Sequence, residues 1–257
     1  MSIYLEAATA AARAAGALLK EHFLVEREVN EFAAHDIKLA LDVQAQDLIT
    51  QLILERFPDH AIYGEEGIGG NQASEFQWIV DPLDGTVNYF YGIPHFCTSI
   101  AVRRGGEILA GVIYDPMRDE LFAADREGAL ATLNGAPIQV STRAQLSEAI
   151  LSVGLAKVTE TIERNLPVLQ DMIHRVRKCR MMGSAALDLA YVACGRLDGY
   201  IEAGISLWDV AAGILLCENA GGIIDMQPRP DRPDKYSIVA SSGHIAEVSQ
   251  GGQRIAG

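Results

Sequence analysis

The sequence predicts a layered α/β protein in which two β-sheets and several helices form one continuous body. Three observations support this: helical patterns open the chain, short strand patterns fill its middle, and helices and strands alternate after about residue 145. The 257 residues are expected to form a single domain. Its strand-rich half, about 1–145, and its alternating half, about 146–257, should meet at a cleft.

Two helices are predicted before the first strands. Residues 2–24 are alanine-rich, and charged side chains interrupt them often enough to exclude a signal peptide or a membrane span. The second helix covers residues 42–57, with Asp42 as its expected N-cap and Pro58 as its stop. Residues 27–41, between them, predict a loop or a hairpin.

The middle of the chain predicts a run of antiparallel strands separated by turn residues. These strands cover residues 60–64, 77–81, 97–104, 107–115 and 119–125. The second half predicts strands at 149–154, 198–203, 222–226 and 237–241, and helices at 162–174, 185–194 and 210–220.

Charge and cysteine content narrow the function classes. The chain has 21 Lys and Arg against 34 Asp and Glu, so its formal charge of −13 argues against a general nucleic-acid or membrane-surface binder. An acidic protein that handles phosphate has to neutralise its own field locally, and divalent cations do this directly. The four cysteines form no C-x-x-C pair, which predicts inert thiols in a reducing cytoplasm.

The most informative segment is WIVDPLDGT, at residues 78–86. Pro82 is not expected to continue a central strand, so a turn should bring Asp81 and Asp84 to one point. Carboxylates suit Mg²⁺, and the amides of Gly85 and Thr86 are placed to point at a phosphate oxygen. The alternative is a simple turn, because D-P-x-D-G is also good turn chemistry.

Two further segments place acids at the ends of predicted elements. Glu65 and Glu66 follow a short strand, where the alternative is a solvated pair of loop charges. Asp209 lies at the start of a predicted helix, where the alternative is an ordinary N-cap. Taken with Asp81 and Asp84, these acids favour a metal site over three unrelated local roles.

These segments resemble the inositol monophosphatase family of lithium-sensitive, metal-dependent sugar and inositol phosphatases. The resemblance covers roughly residues 36–241 and is carried by GEE (64–66), WIVDPLDGTVNY (78–89) and WDVAAGILLCENAGG (208–222). Supporting matches are YDPMRDELFAA (114–124), the L-N-G turn (133–135) and GSAALD (183–188). It implies an αβαβα sandwich with two sheets and a metal cleft between the halves.

The resemblance also implies the roles of individual residues. Two or three Mg²⁺ ions would be held by Glu65, Asp81, the Leu83 carbonyl, Asp84 and Asp209. Glu65 and a metal would activate the attacking water, Thr86 would hydrogen-bond that water, and Asp42 would support Thr86. Substrate would contact Asp84, Gly85, Thr86, Gly183, Ser184, Ala185, Glu202 and Asp209. From the residues alone, Glu202 is equally explained as a solvated charge at a sheet edge.

The sequence departs from the family pattern at three places. Val87 stands where the family often has a second threonine or a basic residue, and Ser206 where it often has a histidine. The early loop has Glu31 near the position of the lysine that organises a third metal in inositol phosphatases, and Lys38 is the candidate substitute. The third metal and lithium sensitivity are therefore left open.

The leading expectation is a Mg²⁺-dependent phosphomonoesterase that acts on inositol monophosphate or a related small sugar or polyol phosphate. Within the same family, the alternatives are histidinol-phosphate, fructose-1,6-bisphosphate and 3′-phosphoadenosine 5′-phosphate phosphatases. A different class is a regulatory module that binds a protein or RNA partner. The resemblance implies a homodimer, and the predicted enzyme is cytoplasmic with no nucleic-acid or membrane partner.

Overall fold

The computed structural model describes residues 1–24, 29–33, 36–155, 159–230 and 232–248, with only the backbone at 29–33, 36–38, 160, 161, 164, 165, 168 and 233. Within these residues, the helices are α1 (Ile3–His22), α2 (Ala40–Arg56), α3 (Thr86–Phe90), α4 (Thr159–Arg175), α5 (Ala185–Ala193) and α6 (Leu207–Asn219). No described helix combines the length and the apolarity that crossing a membrane requires.

The strands form a large sheet, a small sheet and a separate hairpin. The hairpin pairs β1 (Val29–Ala33) with β2 (Asp36–Leu39). The strands of the large sheet are β3 (Ala61–Gly64), β4 (Gly67–Gly70), β5 (Phe76–Asp84), β6 (Cys97–Arg104), β7 (Glu107–Asp115), β8 (Glu120–Asp125), β9 (Ala131–Leu133) and β10 (Ala136–Ile138). Those of the small sheet are β11 (Ile150–Val153), β12 (Lys178–Arg180), β13 (Gly199–Ile205), β14 (Ile223–Arg229) and β15 (Arg232–Ser241).

Helices cover both sheets, and this produces five layers. Helices α1 and α2 pack on one face of the large sheet, and α5 and α6 lie between the two sheets. Helix α4 packs on β12 and β13, on the remaining face of the small sheet. The predicted αβαβα sandwich is confirmed, and its middle layer is buried on both sides because both sheets pack against it.

Strand order places β5 and β3 next to each other near one edge of the large sheet. The order is β10-β9-β8-β7-β6-β5-β3-β4. The expectation of an entirely antiparallel middle section is wrong at this point, because β3 and β5 pair in parallel. Strand β4 turns back along the outer edge of β3, so the chain enters β5 in the direction of β3. In the small sheet, β11 pairs in parallel with both β12 and β13.

Small side chains bring α1 close to the large sheet. Ser2 is its N-cap, and the Ser2 hydroxyl accepts a hydrogen bond from the Leu5 amide at 3.2 Å. The buried face of the helix repeats at helical spacing and is mostly alanine: Ala7, Ala8, Ala11, Ala12, Ala15 and Leu19. The alanine-rich opening therefore forms a core helix.

Two predicted helix starts differ from the structure. Helix α2 begins at Ala40 with Leu39 as its N-cap, so the prediction that Asp42 is the N-cap is wrong. The Asp42 carboxylate instead reaches back from the third helical position to accept the Leu39 amide at 3.0 Å. Helix α6 begins at Leu207, three residues before its predicted start. Its Asp209 carboxylate accepts a hydrogen bond from the amide of the N-cap Ser206 in the same way, at 2.8 Å. At both sites the carboxylate satisfies a backbone donor that the helix leaves without a partner.

The buried His95 should make folding stability depend on pH. Burial lowers the pKa of its imidazole to about 4, and the nearby Arg118 also lowers it. The folded protein therefore keeps His95 neutral at pH 5, whereas the unfolded chain binds a proton below about pH 6.5. Above about pH 6.5, His95 is neutral in both states and does not change the free energy of unfolding. As the pH drops from about 6.5 towards 4, the free energy of unfolding falls. The loss at pH 5 is about 2 kcal/mol.

Urea unfolding of the wild type and of His95→Gln at pH 7.5 and pH 5.0 tests this. The variant should lose about 2 kcal/mol less than the wild type between the two pH values. Other titrating groups are common to both proteins and cancel in the difference. Equal losses in the two proteins would contradict the assignment.

Candidate metal centre

A β-bulge in β5 creates the acidic end of the large sheet. Asp81 pairs with Ser99 and Asp84 pairs with Cys97, so three steps on β5 oppose two on β6. Pro82 lies inside this irregularity, where it has no amide to offer to a ladder. The predicted turn at Pro82 is wrong: the strand continues through Pro82, and a bulge gives Asp81 and Asp84 their different directions.

Local hydrogen bonds hold the bulge in shape. The Leu83 amide donates to Asp81 Oδ1 at 3.1 Å, and Thr86 Oγ1 donates to the Leu83 carbonyl oxygen at 3.0 Å. Thr98 Oγ1 donates to the Pro82 carbonyl oxygen at 2.9 Å. The Leu83 carbonyl, a predicted metal ligand, is therefore oriented by Thr86.

Three of the four predicted acidic ligands converge. One carboxylate oxygen from each of Glu65, Asp81 and Asp209 lies within 4.8 Å of the others. Glu65 follows β3, Asp81 belongs to β5, and Asp209 is in the first turn of α6. Like charges this close oppose ionisation unless a cation shares them, and an all-oxygen set suits a hard divalent cation.

The fourth acid, Asp84, binds the first turn of α5. Its Oδ2 atom accepts from Ser184 Oγ at 2.5 Å and from the Ala186 amide at 2.8 Å, and its Oδ1 accepts from the Ala185 amide at 3.2 Å. Burial raises the pKa of Asp84, although these hydrogen bonds lower it. A fourth donor, Cys97 Sγ, lies 3.6 Å from Oδ2, whereas the described residues give Oδ1 one hydrogen bond, so Oδ1 retains a lone pair for a cation.

Gly85 allows the chain to leave the bulge and begin α3. It is the N-cap of α3 and has φ of +96°, in the left-handed region. A Cβ at this position would lie 3.0 Å from the carbonyl oxygen of His95. Further along α3, Asn88 Nδ2 donates to the carbonyl oxygens of His95 and Met182, both at 2.8 Å, and so joins the two halves of the chain.

The site is a cleft of about 340 Å³ between the two sheets. The predicted substrate residues Gly85, Thr86, Gly183, Ser184, Ala185 and Glu202 all line it. None of its described lining residues is lysine, arginine or histidine. Six carboxyl side chains line it: Glu65, Asp81, Asp84, Asp188, Glu202 and Asp209. The cleft is therefore strongly negative.

Two titratable residues of this cleft, Asp188 and Tyr200, were not predicted from the sequence. Asp188 lies one turn beyond Ser184 on α5, inside the GSAALD segment. This helical spacing puts it on the same face as Ser184 and could have identified it from the sequence. Tyr200 lies two residues before Glu202 on β13, and its hydroxyl donates to Glu202 Oε2. Because side chains alternate along a strand, Tyr200 and Glu202 lie on one face of β13, and this spacing could have identified Tyr200 from the sequence.

The side chains of the two residues predicted to bear on a third metal, Glu31 and Lys38, lie outside the described part of the structure. The backbones of Glu31 and Lys38 are register partners in the β1–β2 hairpin, so of the two predicted alternatives, a loop or a hairpin, the structure has the hairpin.

An αβαβα fold with a carboxylate-lined cleft between its sheets defines a class of metal-dependent phosphatases. The chain matches the Inositol monophosphatase family over residues 1–253. It therefore belongs to the inositol monophosphatase family and is a phosphoric monoester hydrolase, as the resemblance predicted.

Individual relatives and solved structures agree with this assignment. The chain is 43% identical to an inositol-1-monophosphatase from Synechocystis, over 97% of this chain and 88% of that protein. It is 41% identical to a Xylella fastidiosa protein named Nus factor SuhB, over 93% and 90%. The crystal structure of the Bartonella henselae suhB protein covers 99% of this chain and 98% of its own, with 33% identity and a TM-score of 0.89.

The turn that carries Glu65 is held by α2. Gln46 Oε1 accepts the Glu66 amide at 2.9 Å, and Gln46 Nε2 donates to the Gly67 carbonyl oxygen at 3.1 Å. On the opposite side, the Glu65 amide donates to the carbonyl oxygen of Val80 in β5 at 3.1 Å. Gln46 is buried, so its two hydrogen bonds fix the backbone from which Glu65 reaches the other acids.

We expect Gln46→Leu to weaken activation by Mg²⁺. Loss of a side chain that orients the predicted metal ligand Glu65 should raise the Mg²⁺ concentration for half-maximal phosphate release about tenfold. Phosphate release titrated with Mg²⁺ measures this. Gln51→Leu, on an exposed position of the same helix, is the matched control and should leave the Mg²⁺ curve unchanged. An equal shift in both variants, or none in Gln46→Leu, would contradict the role of Gln46.

Proposed function

We propose that this enzyme uses Mg²⁺ to hydrolyse inositol monophosphate or a related small sugar or polyol phosphate. The observation that best supports this proposal is the cleft, which has six carboxyl groups and no basic residue among its described lining residues. A phosphate dianion is repelled by such a cleft unless divalent cations neutralise it. This need for cations favours a metal-assisted phosphatase over a phosphate site built from arginine and lysine.

The proposed ligands are Glu65, Asp81 and Asp209, with the Leu83 carbonyl and Asp84. The convergence of three carboxylates supports the first three, and the oxygen-only donor set fits Mg²⁺. When bound, two or three Mg²⁺ ions supply positive charge that stabilises the phosphoryl oxygens.

The protein's own groups position and deprotonate the attacking water. Glu65 accepts its proton, and Thr86 accepts a hydrogen bond from it. Thr86 is suited to this because its hydroxyl proton is donated to the Leu83 carbonyl, which leaves its lone pairs for the water. Asp42, buried at the start of α2, is proposed to support Thr86.

The leaving group is proposed to lie against the α5 side of the cleft. Gly183, Ser184 and Ala185 form the entry to α5 and line the cleft. Glu202 faces them from β13, and the Tyr200 hydroxyl holds its carboxylate in place. A fixed carboxylate accepts hydrogen bonds from neighbouring hydroxyls, which supports a polyol leaving group.

The alternative substrates are less well supported. A second phosphate, as in fructose bisphosphate or 3′-phosphoadenosine 5′-phosphate, calls for basic partners that the described lining lacks. The only aromatic side chain of that lining, Tyr200, has its hydroxyl bonded to Glu202. Several relatives are named Nus factors, but the converging acids favour catalysis over a purely regulatory role.

We also propose that the enzyme is a cytoplasmic homodimer without a nucleic-acid or membrane partner. The charge of −13 supports the absence of such partners. Light scattering should give twice the chain mass of 27.8 kDa, and a monomeric mass would contradict the dimer.

Asp84→Asn should abolish Mg²⁺-dependent phosphate release while the protein stays folded. Asparagine keeps one acceptor for the α5 donors but removes the charge that a cation needs. We expect kcat/KM for inositol 1-phosphate to fall at least about a hundredfold, with the circular dichroism of a folded protein and a thermal midpoint lowered by the lost α5 hydrogen bond. Asp125→Asn, at the end of β8 and outside the cleft lining, is the control. Retained activity in a folded Asp84→Asn protein would refute the role of Asp84.

Metal removal and a substrate panel test the function as a whole. Chelation should abolish phosphate release, and added Mg²⁺ should restore it. Inositol and sugar phosphates should be hydrolysed faster than histidinol or nucleotide phosphates, in assays run with and without lithium. Metal-independent turnover would refute the mechanism, and a preference for a nucleotide would refute the substrate class.

A further inference from the structure

Asp188 lines the cleft, yet the proposed reaction gives it no role. It lies on α5 and is only 2% exposed. Its Oδ2 atom accepts from Ser152 Oγ at 2.7 Å, whereas no described residue donates to its buried Oδ1. Buried polar atoms without a partner are rare and destabilising, so an unpaired oxygen beside a binding cleft calls for a ligand.

Asp188 and Glu202 form a pair of carboxyl groups with matching support. Ser152 on β11 donates to Asp188, and Tyr200 on β13 donates to Glu202. Ser152 and Tyr200 are register partners on neighbouring strands, so the two donor residues are neighbours on the small sheet. Neighbouring strands are about 4.8 Å apart, which puts the two carboxyl groups within reach of one small molecule.

The buried carboxyl group of Asp188 suits hydroxyl recognition. Burial raises its pKa well above the usual range for aspartate, and the Ser152 hydrogen bond offsets only part of this. Its second oxygen can accept a hydrogen bond from a sugar or polyol hydroxyl, and the group can also donate one when it is protonated.

We propose that Asp188 is a specificity-determining residue that hydrogen-bonds a hydroxyl of the leaving group next to the hydroxyl held by Glu202. This inference rests on the proposed phosphatase function and narrows its substrates to phosphates of compounds with at least two neighbouring hydroxyls. Ser152 acts through Asp188 and is a positioning residue.

The test compares two substrates in one enzyme. Inositol 1-phosphate has hydroxyls beside the phosphate, whereas the leaving group of p-nitrophenyl phosphate has none. In Asp188→Leu, kcat/KM for inositol 1-phosphate should fall at least about tenfold relative to that for p-nitrophenyl phosphate. Asp188→Asn keeps a donor and an acceptor, so its ratio should stay within about threefold of the wild type.

Two further variants distinguish loss of the hydroxyl contact from misfolding. Ser152→Ala combined with Asp188→Leu removes both partners of the buried hydrogen bond and should show the same fall in the ratio. Asp125→Leu replaces a buried carboxyl outside the cleft lining and should leave the ratio unchanged.

An unchanged ratio in Asp188→Leu and in the double variant would overturn the inference, as would an equal loss on both substrates. These outcomes differ from failure of the proposed function. In that case the wild type itself would fail to hydrolyse inositol 1-phosphate and other polyol phosphates, and the inference would fall with the function.

Discussion

The hydrogen bonds between Asp84 and the first turn of α5 are the contact on which the cleft depends. Asp84 ends β5 of the large sheet, whereas Ser184, Ala185 and Ala186 open a helix about 100 residues later. A carboxylate at a helix N-terminus satisfies backbone donors and faces the positive end of the helix dipole. The same contact therefore secures the helix and aligns its first turn with the acidic end of β5.

The middle helical layer turns this alignment into a site. Helices α5 and α6 pack against both sheets, so their first turns open into the space between the sheets. This brings Asp209 of α6 to the carboxylates of Glu65 and Asp81, and it brings α5 to the proposed leaving-group side. A single buried layer thus connects the proposed metal ligands with the proposed substrate contacts.

The cleft concentrates negative charge that the fold does not offset with basic lining residues among those described. Two kinds of support keep these acids in place. Backbone and side-chain donors hold Asp84, and the hydroxyl groups of Ser152 and Tyr200 donate to Asp188 and Glu202. The converging set of Glu65, Asp81 and Asp209 is the part that suits a shared cation. We therefore propose that one end of the cleft binds cations and the other end recognises hydroxyl groups.

Several elements were predictable because their signals are local. The alanine-rich opening helix, the antiparallel strands from β6 to β8 and the helix that ends at Asn219 follow from propensity and periodicity. Predictions failed where pairing partners decided the outcome. The edge position of β4 makes β3 and β5 parallel, and the pairing of β5 with β6 turns the expected Pro82 turn into a bulge.

By itself, the sequence determined which acids are available and the family to which their motifs belong. GEE, DPLDGT and WDVAAG are contiguous segments, so their chemistry and order are visible without a structure. Only the tertiary structure decided that Glu65, Asp81 and Asp209 converge while Asp84 binds α5, and that Ser152 supports Asp188. The Ser152–Asp188 and Ala185–Asp84 hydrogen bonds join residues 36 and 101 positions apart. Packing of the two sheets around one helical layer sets such distances, and local sequence patterns do not encode them.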